Sequence, residues 1–253
     1  METWIQLGRG PLFQLACALL VLGLLRIVVL ALVELVEAYR RSSGRGVNWR
    51  EIAGETLGWL VPVGRLWRQR PLYSTVSVLF HVGLFVVPIF LAAHVLLWKR
   101  VLAVAWPALP QTVANVLTLV VIVAGLALFV SRVASASGRK LSRAQDYAWP
   151  LLLIVPFLTG YVCANLALGA QTYEAFMLVH VYTVDLILVL IPFSQIAHCV
   201  LAPFSQVVSA IAWKFPPGAG DRIAETLGQG ESSLPPLRSG AEPVSVRKKV
   251  HAQ

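Results

Sequence analysis

Residues 80–98 read FHVGLFVVPIFLAAHVLLW. The stretch is apolar enough to lie inside a membrane, yet it carries His81 and His94, with Pro88 between them. An imidazole in hydrocarbon is costly unless something pairs with it. The rest of the chain has to supply partners for both rings.

Of the 253 residues, 57% are hydrophobic and 13% charged, and the mean hydropathy is +0.73. Soluble domains carry about 25% charged residues, so the composition belongs to the membrane class. Crossing a bilayer takes roughly 20 apolar residues. Five runs qualify, at about 11–36, 75–98, 111–133, 147–169 and 175–203. Lipid requires each span to satisfy its own backbone, so the expected fold is all-α, a five-transmembrane-helix bundle.

The net charge of +9 has the distribution of a topology signal. Seven basic residues lie between the first and second spans: Arg40, Arg41, Arg45, Arg50, Arg65, Arg68 and Arg70. Arg132, Arg139, Lys140 and Arg143 follow the third span, and six more follow the fifth. The other side has Arg9, Lys99 and Arg100. Positive-inside bias therefore predicts an outside N-terminus and a cytoplasmic C-terminus. It also removes the case for a nucleic-acid partner.

Cys17, Cys163 and Cys199 all fall in apolar runs, without CxxC or CxxCH spacing. Neither c-type haem attachment nor a disulfide or zinc framework is indicated. The first run is too long for a signal peptide and is read as a retained helix. The expected organisation is a membrane domain over 1–215 and a polar, disordered cytoplasmic tail over 216–253. Within the first, the segment 48–70, with Trp49, Trp59 and Trp67, is too charged to span and suits the cytoplasmic interface.

Four of the five histidines sit in two spans. His81 and His94 are 13 apart in the second, and His180 and His198 are 18 apart in the fifth. These spans run in opposite directions, so His81 pairs in depth with His198 towards the cytoplasm, and His94 with His180 towards the outside. Along ideal helices the members of each span are separated by about 20 and 27 Å. One imidazole from each span at two depths suits two bis-histidine b haems. Zinc does not suit, because no carboxylate or thiolate completes four ligands. Eighteen residues keep His180 and His198 on one helix face, whereas thirteen put His81 and His94 about 140° apart. Either Pro88 kinks the helix and re-aims a ring, or the haems lie on different flanks.

FHVG in the second span, and the H-x17-H of the fifth with IPFSQIAHCVLAPFS, resemble the gamma subunit of respiratory nitrate reductases. The likeness runs over roughly 12–210 and includes a basic loop, SRVASASGRKLSRAQD, before a span ending FLTGYV. The resemblance implies a dihaem cytochrome b in a prokaryotic-type inner membrane, surrounded by membrane lipid. It implies that His81 and His198 ligate the cytoplasmic-side haem iron and His94 and His180 the outer one. Quinol would be oxidised near the outer face, and electrons would pass to a cytoplasmic iron–sulphur subunit serving a further catalytic subunit. The chain departs from that pattern in three places. Its first two ligands stand further apart, the family's lysine after the second span has no aligned match, and Gln195 replaces an arginine. Related subunits serve heterodisulfide-reductase-like and sulphite-reduction-linked complexes.

Other polar residues are candidates for the same chemistry. Arg26, in the first span, is either a propionate partner or a side chain snorkelling to the interface. Asp185 either relays protons from quinol or pairs with a neighbouring helix. Lys99 and Arg100 are propionate or quinone partners, or helix-end anchors. Tyr173, Glu174 and Tyr182 lie where a quinol would release protons, and Trp98 and Trp106 read as belt residues. The expected function is quinol oxidation with electron transfer through two haems. Its alternatives are the reverse direction, quinone reduction, and a transporter or haem-handling protein.

Overall fold

The structure, a computed structural model, describes residues 1–41, 49–60 and 70–211. Among them every regular element is helical. Helix α1 (Glu2–Leu7) passes through a π turn (Gly8–Leu12) into α2 (Phe13–Arg41), and α3 (Trp49–Leu60) follows. The second span is α4 (Pro71–Phe90) continued by α5 (Ala92–Leu102). Then come α6 (Gln111–Ala134), the short α7 (Ala136–Leu141), α8 (Ala144–Asn165), α9 (Ala170–Leu190) and α10 (His198–Ser209). Five stretches are long and apolar enough to cross a membrane: Glu2–Arg40, Pro71–Phe90, Gln111–Ala134, Ala144–Asn165 and Ala170–Phe193. This is a multi-pass, all-helical membrane protein. The first path is longer than its apolar run: 39 residues make about 58 Å of helix against roughly 30 Å of hydrocarbon.

The second span is interrupted. Helix α4 stops two residues after Pro88, Leu91 takes an extended conformation (φ −63°, ψ 133°), and α5 starts afresh. Carbonyls left over by the break all find donors. Pro88 O accepts from Trp98 Nε1 at 3.0 Å, Ile89 O from Trp106 Nε1 at 2.9 Å, and Phe90 O from the Leu109 N–H at 2.9 Å. The two tryptophans therefore serve the helix break directly, which goes beyond the belt role expected of them.

The fifth span ends earlier than its apolar pattern. Helix α9 stops at Leu190 and two 3-10 turns follow, Ile191–Phe193 and Gln195–Ala197, separated by extended Ser194. Pro192 has no N–H for an α-helical bond, and the Ser194 hydroxyl accepts from the Ile196 N–H. The expectation that His180 and His198 share one face of a continuous helix is thus corrected, because His198 opens a separate helix.

Packing runs in sequence: α4 on α6, α6 on α8, α8 on α9, and α9 on α2. Phe80, Val87, Val121, Ala124 and Phe157 form the core of the first three. Gly83 of the FHVG motif lets α4 and α6 approach so closely that a Cβ would collide with Val121. Helices α2 and α9 run parallel, with Gly8 against Val181 and Gly23 against Pro192. The basic loop is ordered: Arg139 Nη1 donates to Val133 O (2.6 Å) and Ala134 O (3.1 Å) at the end of α6. Arg132 meets Asp146 at 3.4 Å. Of the expected interfacial segment, α3 is described, and its Ile52 is 1% exposed beneath Ala210 and Ile211. Residues 61–69 and the expected tail, 216–253, lie outside the described residues.

Candidate functional site

At the pole of the bundle that holds the N-terminus, α5 brings His94 against His180 of α9. The ring centroids are 6.1 Å apart and the planes are inclined by 14°. The helices carrying these residues are not packed on each other along their lengths, since α6 and α8 intervene in the packing order. Side chains close the gap instead. Besides the two imidazoles, Phe13 of α2 meets Trp98 of α5 at 5.5 Å.

Each imidazole is held by its Nδ1. His180 Nδ1 lies 2.8 Å from Pro156 O and 3.4 Å from Thr159 Oγ1. His94 Nδ1 lies 3.4 Å from Val87 O, one of the last carbonyls of α4. A carbonyl can only accept, so Nδ1 is the protonated nitrogen and Nε2 keeps its lone pair. Metal-ligating histidines are typically oriented in this way, with the second nitrogen donating to a backbone carbonyl. Gly160 gives the His180 ring its space, because a Cβ there would lie 2.9 Å from Cε1 and 3.2 Å from Nδ1. The FLTGYV motif of α8 thus supplies both the orienting hydroxyl and the room. Two neutral imidazoles that keep their Nε2 lone pairs are a donor set a metal takes. The residues present fit a bis-imidazole group.

His81 and His198 share the Nδ1 arrangement, to Ser77 O and Gln195 O, each at 2.7 Å. They do not form an equivalent ring pair among the described residues. The ring set edge-on to His81 is Phe80, at 5.6 Å, and His198 is exposed. The structure therefore brings together His94 and His180, the pair expected on the outer side.

The remaining candidates separate clearly. Lys99 and Arg100 are exposed in the last turn of α5, where their charge complements the helix C-terminus. Arg26 is exposed on α2. Tyr173 is exposed in the first turn of α9, Glu174 Oε2 lies 3.8 Å from the Met1 amine, and Tyr182 donates to Trp4 O at 3.2 Å. Asp185 is 8% exposed, and neither of its carboxylate oxygens has a hydrogen-bond partner among the described residues. It borders a groove between α2 and α9 lined by Leu12, Leu15, Ala16, Leu19, Leu186 and Val189. Its place as helix partner, one of the two sequence readings, is therefore not filled. Arg9, missed as a site residue because it was counted only as a topology charge, points inward and donates to Met177 Sδ at 2.9 Å. Among the described residues no three of His, Cys, Asp and Glu gather as a metal site.

A protein of Nitratidesulfovibrio vulgaris (strain Hildenborough), described only as a protein, is similar to this chain. The two are 36% identical over 146 residues, which is 57% of this chain and 63% of the relative. The chain thus spans less than two thirds of that relative's length. No family model matches, and no solved structure matches. The comparisons carry no chemistry.

Proposed function

We propose that the chain is a membrane-embedded dihaem cytochrome b subunit of a respiratory oxidoreductase, with its N-terminus outside and its C-terminus in the cytoplasm. The observation that carries this reading is the His94–His180 pair, 6.1 Å apart with both Nδ1 atoms spent on carbonyls. Two such nitrogens in an apolar bundle are costly unless an iron takes them. The second haem falls to His81 and His198, whose Nδ1 atoms are tied in the same manner.

When bound, haem supplies a one-electron couple, and the protein sets its ligands, burial and access. Pro156 and Thr159 fix the tautomer and plane of His180, and Gly160 leaves the ring its place. Asp185 offers a buried acceptor on a groove open to lipid. A quinol hydroxyl can donate to it there and lose its proton towards the outer side, with the hydrophobic tail along the leucines. Lys99, Arg100 and Tyr173 stand nearer the surface and suit proton exit or lipid anchoring. Electrons leave at the basic pole to an iron–sulphur partner, with a further subunit completing the enzyme.

A reduced-minus-oxidised spectrum with pyridine haemochrome quantitation tests the reading. Two b haems per chain are expected, one lost in His94→Ala or His180→Ala and the other in His81→Ala or His198→Ala. Absence of haem in membranes from a haem-replete host overturns it and favours the transporter reading.

A further inference from the structure

Arg9 is a cation held against α9 one turn before His180, and among the described residues no anion meets it. The π turn carrying it lies flat on α9, because Gly8 is buried and a Cβ there would be 2.5 Å from Val181 Cγ1. That contact delivers the Arg9 side chain to Met177, three residues before His180 and so on the same helix face. A guanidinium has five donors and no acceptor. Here its acceptor among the described residues is a thioether sulphur, which accepts weakly. Met177 is itself buried, in a cluster with Ile5 and Val181. A partly desolvated arginine ordinarily finds a carboxylate or phosphate and binds it with two parallel hydrogen bonds.

We propose that Arg9 is the anion-holding residue of the His94/His180 site, binding a carboxylate of the prosthetic group seated there, a haem propionate. The inference rests on the reading above and assigns a role to a residue outside the set expected from sequence. Arg9 is partly buried, whereas Arg26 on α2 and Lys99 and Arg100 at the end of α5 are exposed. Arg9 acts on the haem through its propionate and is a positioning residue.

The test uses the full chain in membranes, comparing wild type with Arg9→Gln and Arg9→Lys. The readouts are haem per chain and the midpoint potential of the haem that His94→Ala removes. Loss of a nearby positive charge disfavours the reduced form. Arg9→Gln is therefore expected to weaken reduction of that haem about tenfold, about 59 mV for one electron. Arg9→Lys should recover most of the potential, because the charge returns without the planar fork. The His81 haem should be unchanged. An unaltered potential and haem content in Arg9→Gln overturns the proposal while leaving the cytochrome reading intact. Loss of both haems in Arg9→Gln and Arg9→Lys alike makes Arg9 a folding residue and also overturns it. A wild-type protein without haem overturns both readings.

Discussion

At residue 160 a single added methyl group has no room. It would stand 2.9 Å from His180 Cε1, so the imidazole must move away from Pro156 O and from His94. Alanine is nevertheless the better helix former, by about 1 kcal/mol, so Gly160→Ala should not lower the stability of α8 through propensity. The expected result is a protein that accumulates normally but has lost half or more of its outer-haem absorbance, read by haem stoichiometry. Retention of both haems would show that the ring is not held as described. Asp185 calls for the opposite logic. A buried carboxyl group without a partner costs about 1–3 kcal/mol, so Asp185→Leu should keep or raise the melting temperature in detergent. If the carboxylate receives a quinol proton, Asp185→Asn reduces quinol-driven haem reduction at least tenfold and leaves dithionite reduction untouched. Equal rates in the two proteins would remove Asp185 from the quinol site.

The helices show where a sequence reading succeeds and where it stops. Apolar run length found all five spans, because hydrocarbon thickness is a local constraint on each helix. Pro88 pointed to a bend between His81 and His94, and the bend exists, but at Leu91. Its position depends on donors from residues 98, 106 and 109, brought in by the fold-back of the following loop, and no periodicity reveals such a match. Apolar character likewise carried the fifth span past Leu190, whereas Pro192 and Ser194 end the helix there. Among the site residues, the pairing of His94 with His180 was legible from depth alone. Arg9 was not, because its inward course depends on Gly8 meeting Val181, 173 residues further along the chain. The helix break makes a prediction at this scale. Trp98→Phe with Trp106→Phe removes two indole donors, each net hydrogen bond being worth about 0.5–1.5 kcal/mol. The pair should lower thermal stability by roughly 1–3 kcal/mol and loosen His94 more than His81, measured as preferential loss of the outer haem.

For the whole molecule, function depends on which way round the bundle sits, since the imidazole pair marks only one pole. The N-terminus, Lys99, Arg100 and the start of α9 share that pole. The opposite pole holds the charges of the α6–α8 loop and Arg40 near the end of α2. That loop is ordered by its own basic residues, with Arg139 on the last carbonyls of α6 and Arg132 on Asp146. Its charge thus serves local structure as well as orientation, and reading topology from it calls for an independent check. Alkaline phosphatase fused after Gly169 should be active, and the same reporter fused after Lys140 or Ala210 should be inactive, while green fluorescent protein should give the converse pattern. The reversed result would place His94 and His180 at the cytoplasmic face. Electrons from a quinol at that pole would then run outward to the basic pole while its protons are released in the cytoplasm. The charge separation expected of a subunit oxidising quinol outside and reducing a partner inside would be reversed.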